Sequence, residues 1–315
     1  MHPALSVIIF TTASGAGYGL LVWYGLMSAF SGAPGDRLVA LVVLPLALTL
    51  VTVGLLSSTF HLGRPERAWR AFSQWRTSWL SREGICSFVT YVPAGLLLLA
   101  WIVWPAPGAA AVVLGLITAV ASLVTIYCTA MIYASLKTIH QWHNAYVVPN
   151  YLALGLYSGA LLLATILHLF GQGSQGVDIV VLVGGVAALI AKLSYWRFIA
   201  TTRHSSSPES ATGLGNIGKV RLFEAPHTEE NYLMREMGFS IARKHAEKLR
   251  GISLLALFAA PLVLVLLAIL TSGVMATVSL VIAVLLAAVG VLVERWLFFA
   301  EARHVVTLFY GARAA

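Results

Sequence analysis

Charge is the scarcest property of this chain: twelve acidic and twenty basic side chains in 315 residues make 10% charged, beside 59% hydrophobic. A soluble domain carries about 25% charged residues. With a mean hydropathy of +0.87, a soluble globular fold is excluded. Cysteine is nearly missing as well. Cys86 and Cys128 form no CxxC, which argues against an iron–sulfur cluster on this chain and against a fold held by disulfides. Both read as small packing residues. The apolar–polar alternation of a membrane β-barrel is absent too. So is a basic segment ahead of the first apolar stretch, which is too long for a signal-peptide core and reads as a retained span.

What the chain has is apolar runs of about 20 residues or more, the length that crosses a bilayer. They fall at about 5–29, 38–60, 84–104, 111–133, 150–170, 179–200, 251–271 and 276–299. A span must satisfy its own backbone groups. The expected fold class is therefore an all-α integral membrane protein, a single bundle of eight transmembrane helices over residues 1–315. The net charge of +8 is lopsided. Arg64, Arg67, Arg70, Arg76, Arg82, Lys137 and the basic residues of 201–250 fall on the side shared by both termini, and only Arg37 falls clearly on the other. The positive-inside rule then puts both termini in the cytoplasm, in a bacterial cytoplasmic (inner) membrane.

Residues 201–250 form the one sizeable polar region, a cytoplasmic loop between the sixth and seventh spans. Gly213-Leu214-Gly215-Asn216-Ile217-Gly218 matches GxGxxG, but a dinucleotide site needs a strand before it and a βαβ unit around it. A transmembrane helix precedes instead, so nucleotide binding is not expected. Thr228-Glu229-Glu230 reads as a helix start, and Leu233, Met237 and Ile241 share a spacing of four. This predicts an interfacial amphipathic helix, which can equally serve as a docking surface for a cytoplasmic partner.

Three polar clusters sit where spans meet the bilayer edge. The first runs from His61-Leu62-Gly63-Arg64-Pro65-Glu66-Arg67 to Trp79-Leu80-Ser81-Arg82-Glu83. An ionisable group kept in a membrane protein is a functional suspect by default. A quinone gains two protons on reduction, so its site needs a donor at one oxygen and a proton-transfer group in reach. His61 and Glu83, brought together by a short hairpin, supply both. The second cluster holds Tyr133, Lys137, His140, Trp142 and His143; the two histidines lack a third ligand, so no metal is expected. The third holds Glu294, Arg295, Phe298, Phe299, Glu301 and His304, with Glu294 and Arg295 read as a boundary ion pair. Gly15, Gly17 and Gly19 predict close helix packing. His168 is the one histidine well inside a span; haem b is neither required nor ruled out. A transporter would show broken helices and polar midplane groups in repeat halves, and no internal repeat is visible.

Four motifs carry a resemblance to a known family: His61-Leu62-Gly63-x-Pro65-x-Arg67-Ala68, Leu80-Ser81-x-Glu83, Tyr133-x-Ser135-x-x-Thr138-x-x-x-Trp142 and Gly290-x-Leu292-x-x-Arg295-x-x-Phe298. The chain resembles the membrane-anchor subunits of the dimethyl sulfoxide reductase family. Its long loop and its charge placement look most like anchors of cytoplasm-facing sulfite dehydrogenases (sulfite:quinone oxidoreductases). The resemblance implies two partners, a molybdopterin catalytic subunit and an iron–sulfur subunit with [4Fe-4S] clusters, and ubiquinone or menaquinone as cofactor. It implies His61 and Glu83 at the quinol site as catalytic residues, and the polar clusters read beside them put Arg64, Arg67, Trp79, Tyr133, His140 and Arg295 around the quinone. The runner-up within the family is a dimethyl sulfoxide reductase-type anchor oxidising menaquinol.

Overall fold

The computed structural model describes residues 2–30, 36–60, 62–202, 206–224, 229, 231–238 and 241–314, and of 241–244 the backbone alone. The membrane-length helices are α1 (Leu5–Phe30), α2 (Arg37–Thr59), α3 (Trp79–Val103), α4 (Ala109–Ala134), α5 (Val147–Leu169) and α6 (Gln175–Thr201). Two short helices follow, α7 (Pro208–Thr212) and α8 (Tyr232–Met237), then α9 (Ile241–Ser253), α10 (Ala260–Leu270) and α11 (Gly273–Ala300). A widened turn, Leu254–Ala259, joins α9 to α10 into one continuous rod. Among the described residues eight helices are long and apolar enough to cross a membrane, the seventh being His245–Leu270 within that rod. No strand occurs among the described residues. Observed helices mostly begin a few residues before the expected spans, because their first turns sit in polar sequence that hydropathy does not register.

Helix α1 is the axis of the bundle, packed against α2, α4, α5 and α11. Small residues allow this, since helices in lipid associate by close van der Waals contact rather than by expelling water. A Cβ at Gly19 would run into the backbone of Gly155, and one at Gly25 into that of Gly115. The outer helices turn apolar side chains outward, such as Phe88 and Val92 of α3, Val183 of α6 and Leu285 of α11. Those faces suit hydrocarbon, not water.

The widened turn has an identifiable cause. Pro261 has no N–H to give the carbonyl four residues back, and Ala260 N–H bonds Leu255, five residues back. The carbonyl of Leu257 is left to Tyr157 of α5, whose hydroxyl donates to it at 3.3 Å. In lipid a freed carbonyl needs such a partner.

The end of the bundle that carries the motifs also carries both termini. His2 N–H donates to the Glu236 carbonyl at 2.6 Å, and Asn231 Nδ2 donates to Tyr310 Oη at 3.0 Å. Between α2 and α3, a 3₁₀ turn (Pro65–Phe72) lies across this end with Trp69 and Trp75 exposed. Arg82 closes that segment by donating to the carbonyls of Trp75 (2.9 Å) and Arg76 (2.7 Å).

The expected single amphipathic helix through 228–250 is corrected. Thr228 and Glu230 lie outside the described residues. Asn231 caps α8 by accepting from Met234 N–H at 2.9 Å, and α8 stops at Gly238, where glycine costs a helix about 1 kcal/mol. Ile241 already belongs to the helix that becomes the seventh span. The GxGxxG stretch is a turn region after α7; Glu209 Oε1 accepts from Val220 N–H across it at 3.1 Å, and among the described residues no strand precedes it.

Candidate functional site

A cavity of about 850 Å³ opens at the motif end, within the range of small-molecule sites, about 300–1,000 Å³. Its inner wall comes from α1, α2, α3 and α4 through Phe10, Leu55, Glu83 and Tyr133, with Phe299 of α11 and Trp142 closing one side. Arg64, Arg67 and Arg70 of the 3₁₀ segment line its mouth, and His2 and Glu236 its rim. An apolar chamber with a few convergent polar groups is the form a membrane-soluble ring compound requires.

Glu83 is the polar centre of the wall, 4% exposed. Ser87, one turn on in α3, donates to the Glu83 carbonyl at 2.8 Å and lies 3.3 Å from Oε1. Tyr18 of α1 donates its hydroxyl to Ser87 Oγ at 3.0 Å. Gly84 lets Phe72 of the 3₁₀ segment approach α3, and Phe72 then packs edge-on against Phe88 with centroids 5.3 Å apart. The basic segment is thereby fixed over the helix that carries the carboxylate.

Tyr133 is held in an aromatic cluster, stacked on Tyr151 at 5.6 Å and edge-on to Trp142, Phe298 and Phe299. Trp142 Nε1 donates to the Phe298 carbonyl at 3.0 Å, tying the connection between α4 and α5 to α11. Arg64 and Arg67 are exposed. The 3.9 Å contact of Arg67 with Glu66, half exposed on both sides, adds little to stability and leaves the guanidinium free to meet an anion.

Of the residues expected to form one site, Glu83, Arg64, Arg67 and Tyr133 are brought together, and His61 lies outside the described residues, directly before Leu62 and Gly63 of the cavity lining. Three others stand elsewhere, a correction to the expected grouping. Trp79 turns toward α4, edge-on to Tyr127 at 5.8 Å and beneath the Arg82 guanidinium at 4.2 Å. His140 bonds Thr202 Oγ1 at 2.8 Å and leans on Phe198 at the end of α6. Arg295 is fully enclosed, its guanidinium 4.0 Å over the Tyr151 ring and its Nε 3.3 Å from Glu294 Oε2. It belongs to a second, much smaller cavity of about 20 Å³.

That second region is what sequence reading missed. Lys192 of α6 pairs with Glu294 Oε1 of α11, at 1% and 0% exposure; Glu294 and Arg295 do meet as an ion pair, but enclosed in the bundle and not at the membrane boundary. Lys192 also sits 4.4 Å over the Tyr195 ring. One signal was available: opposite charges inside two different apolar spans call for each other. Nearer the end of the bundle Glu301 meets Arg250 at 2.8 Å; burial pushes the Glu301 carboxyl above its ordinary value, with Arg250 opposing.

Three further histidines are engaged individually. His143 Nδ1 meets the Ala134 carbonyl at 2.6 Å, and His168 Nε2 meets Asp178 at 3.0 Å. His304 Nδ1 accepts from Val306 N–H at 3.0 Å. Among the described residues no three His, Cys, Asp or Glu side chains gather to hold a metal ion. Cys86 and Cys128 touch across α3 and α4 as free thiols, sulfurs 3.9 Å apart.

Eight membrane-length helices among the described residues, with apolar outward faces, fit a multi-pass membrane protein with an apolar chamber at one end of its bundle. The chain belongs to the dimethyl sulfoxide reductase anchor subunit (DmsC) family, whose model matches residues 1–312. It is 37% identical to a sulfite dehydrogenase subunit of Allochromatium vinosum, over the whole of both chains. It is 28% identical to anaerobic dimethyl sulfoxide reductase chain YnfH of Escherichia coli K12 over 119 residues, covering 38% of this chain and 42% of that one.

Proposed function

We propose that this chain is the quinone-reactive membrane anchor of a three-subunit molybdenum oxidoreductase. It passes electrons between a partner iron–sulfur subunit and the quinone pool while a molybdopterin subunit oxidises sulfite to sulfate. The observation that carries the reading is a buried carboxylate, Glu83, in the wall of an 850 Å³ chamber whose mouth is lined by arginines. Full-length similarity to a sulfite dehydrogenase subunit favours sulfite over sulfoxide as the partner's substrate. The motif end, with its excess of Arg and Lys, faces the cytoplasm of the bacterial inner membrane on the positive-inside rule. Both partner subunits dock there.

The chamber fits a quinone by its donor set as well as its size: apolar walls for the ring and tail, a carboxyl at depth, and guanidinium groups at the mouth. A bound quinone supplies a two-electron, two-proton acceptor. Glu83 holds a proton in a water-poor wall, and the Ser87 hydroxyl fixes its orientation. His61, directly before the lining residues Leu62 and Gly63, is the donor to one ring oxygen, and Tyr133 the group facing the other. Arg64 and Arg67 favour negative charge developing at the mouth.

The test is the intact complex carrying Glu83→Gln or His61→Ala. Each change should lower quinone-linked sulfite oxidation about 100-fold or more, the scale of a lost proton-transfer group, while sulfite oxidation with an artificial acceptor persists. Normal quinone-linked turnover in both variants, with normal assembly, would refute the assignment. A dimethyl sulfoxide reductase-type anchor, favoured by the partial match to YnfH, uses the same chamber with electrons leaving menaquinol; the substrate accepted by the co-purified large subunit decides between them.

A further inference from the structure

Two cavities lie end to end in the crease between α3 and α4. The first, about 460 Å³, is lined by Cys86, Val89, Ile117, Val120 and Val124. The second, about 400 Å³, is lined by Val92, Pro93, Leu96 and Leu114, and it shares Val89 and Ile117 with the first. Together they form one groove whose walls are apolar and exposed. The groove and the chamber have no lining residue in common, and no acidic side chain lines the groove.

Charge heads this groove. On α3, Arg82, Cys86, Val89, Pro93 and Leu96 follow at spacings of three or four, the repeat of a single helix face. On α4, Tyr127, Val124, Val120 and Ile117 do the same. At the head, Trp79 packs edge-on against Tyr127 at 5.8 Å, and the Arg82 guanidinium covers Trp79 at 4.2 Å. Trp and Tyr side chains gather at the headgroup level of a bilayer, so this group marks where the hydrocarbon begins. Arg82 gives two of its five N–H donors to the carbonyls of Trp75 and Arg76, leaving the rest for an anion. Arg76 is exposed and adds a second positive charge beside it.

Length identifies the occupant. From Arg82 to Leu96 the helix rises about 21 Å at 1.5 Å per residue. One leaflet with its headgroups is about 20–22 Å thick, half of the whole bilayer. The groove ends at Leu96 while α3 runs on to Val103, so it suits a molecule of one leaflet and not a transmembrane helix. A guanidinium meets a phosphate through two parallel hydrogen bonds.

We propose that the α3–α4 groove binds one anionic phospholipid of the leaflet on the motif side, its phosphate on Arg82 and one acyl chain lying from Cys86 to Leu96. The inference stands apart from the reading of the chamber. Because Arg82 also closes the segment between α2 and α3, the bound phosphate clamps that segment to the bilayer surface.

The full chain, with the subunits that accompany it in mild detergent, is tested with a phosphatidylglycerol carrying a photoreactive diazirine in its acyl chain. Crosslinks read by peptide mass spectrometry are expected within residues 86–96 and 114–124. Unlabelled phosphatidylglycerol should compete about fivefold or more better than phosphatidylethanolamine with the same chains, the factor one arginine contributes at an anionic surface. Arg82→Ala should lower the labelling about tenfold, the scale of a lost charge-assisted hydrogen bond. Ala121→Phe, which fills the groove and leaves Arg82 in place, should lower it as well. If Arg82→Ala does not accumulate, Ala121→Phe decides. Labelling spread over other helices, equal competition by the two lipids, or full labelling of Ala121→Phe overturns the proposal. So does displacement of the probe by a quinone and not by phosphatidylglycerol, which would make the groove the seat of a quinone tail.

Discussion

The buried cluster of α6 and α11 contains two cations and one anion, and that imbalance makes a directional prediction. Glu294 accepts Lys192 on one oxygen and faces Arg295 at 3.3 Å with the other. Glu294→Gln strips the only anion of the trio and leaves two enclosed cations uncompensated. Removing one partner of a buried ion pair costs about 3–5 kcal/mol. Lys192→Met removes a cation instead and leaves Glu294 and Arg295 as a neutral pair. Its loss is one charge-assisted hydrogen bond, about 1.5–3 kcal/mol. The order is therefore Glu294→Gln worse than Lys192→Met. Adding Lys192→Met to Glu294→Gln should recover about 1 kcal/mol rather than cost more, because contacting sites couple on that scale. Unfolding of the purified chain in mixed micelles, titrated with SDS and followed by helical circular dichroism, gives the differences. Additive losses in the double variant, or a Lys192→Met more damaging than Glu294→Gln, would refute this account of the cluster.

Gly19→Ala should sharply reduce accumulation in the membrane, because its Cβ would meet the Gly155 backbone, an overpacking cost of at least about 1–3 kcal/mol. Gly15→Ala, whose Cβ meets nothing within 4 Å, should be neutral; equal effects in an immunoblot of membranes would contradict the α1–α5 packing. Tyr157→Phe frees the Leu257 carbonyl and should cost about 0.6–1.7 kcal/mol, the range of interhelical hydrogen bonds in membranes, as read from the same SDS titration. Burial lowers the His304 imidazole from its ordinary 6.5. The neutral ring, which accepts from Val306 N–H, is therefore stabilised by folding. That contribution is complete above pH 6.5 and is lost as the pH falls through the lowered value. The protection factor of the Val305 amide, whose N–H bonds Thr138, taken against its intrinsic exchange rate at each pH, should fall on acidification, and a protection factor that stays flat down to pH 5 would contradict it.

The bundle was legible because span length and apolarity are properties of contiguous sequence. Helix ends were less so: α3 begins at Trp79 and α6 at Gln175, where hydropathy is low, and the start of α6 is marked by the Ser174 cap on Val177 N–H. The loop helix was misread because i, i+4 spacing ran straight through Gly238, and spacing carries no penalty for a glycine. Half of the site could be read the same way. Arg64, Arg67 and Glu83 fall in one hairpin, so local chain geometry brings them together. Arg295 and His140 could not be sorted from sequence, since both sit at span ends. Only the rotation of α11 and the position of α6 send Arg295 to Tyr151 and His140 to Thr202. The Lys192–Glu294 pair joins residues 102 apart, a contact no local pattern encodes.

The arrangement also explains why the polar groups lie where they do. On the proposed reading, a chamber that admits a lipid-soluble ring is apolar over most of its wall, and its charged groups gather at the mouth, where Arg64, Arg67 and Arg70 stand. Glu83 is the exception at depth, and Ser87 of α3 and Tyr18 of α1 give it polar company. Close contacts of Gly19 with Gly155 and Gly159 lock α1 against α5, and a helix held in that way keeps the Tyr18 hydroxyl within hydrogen-bond reach of Ser87.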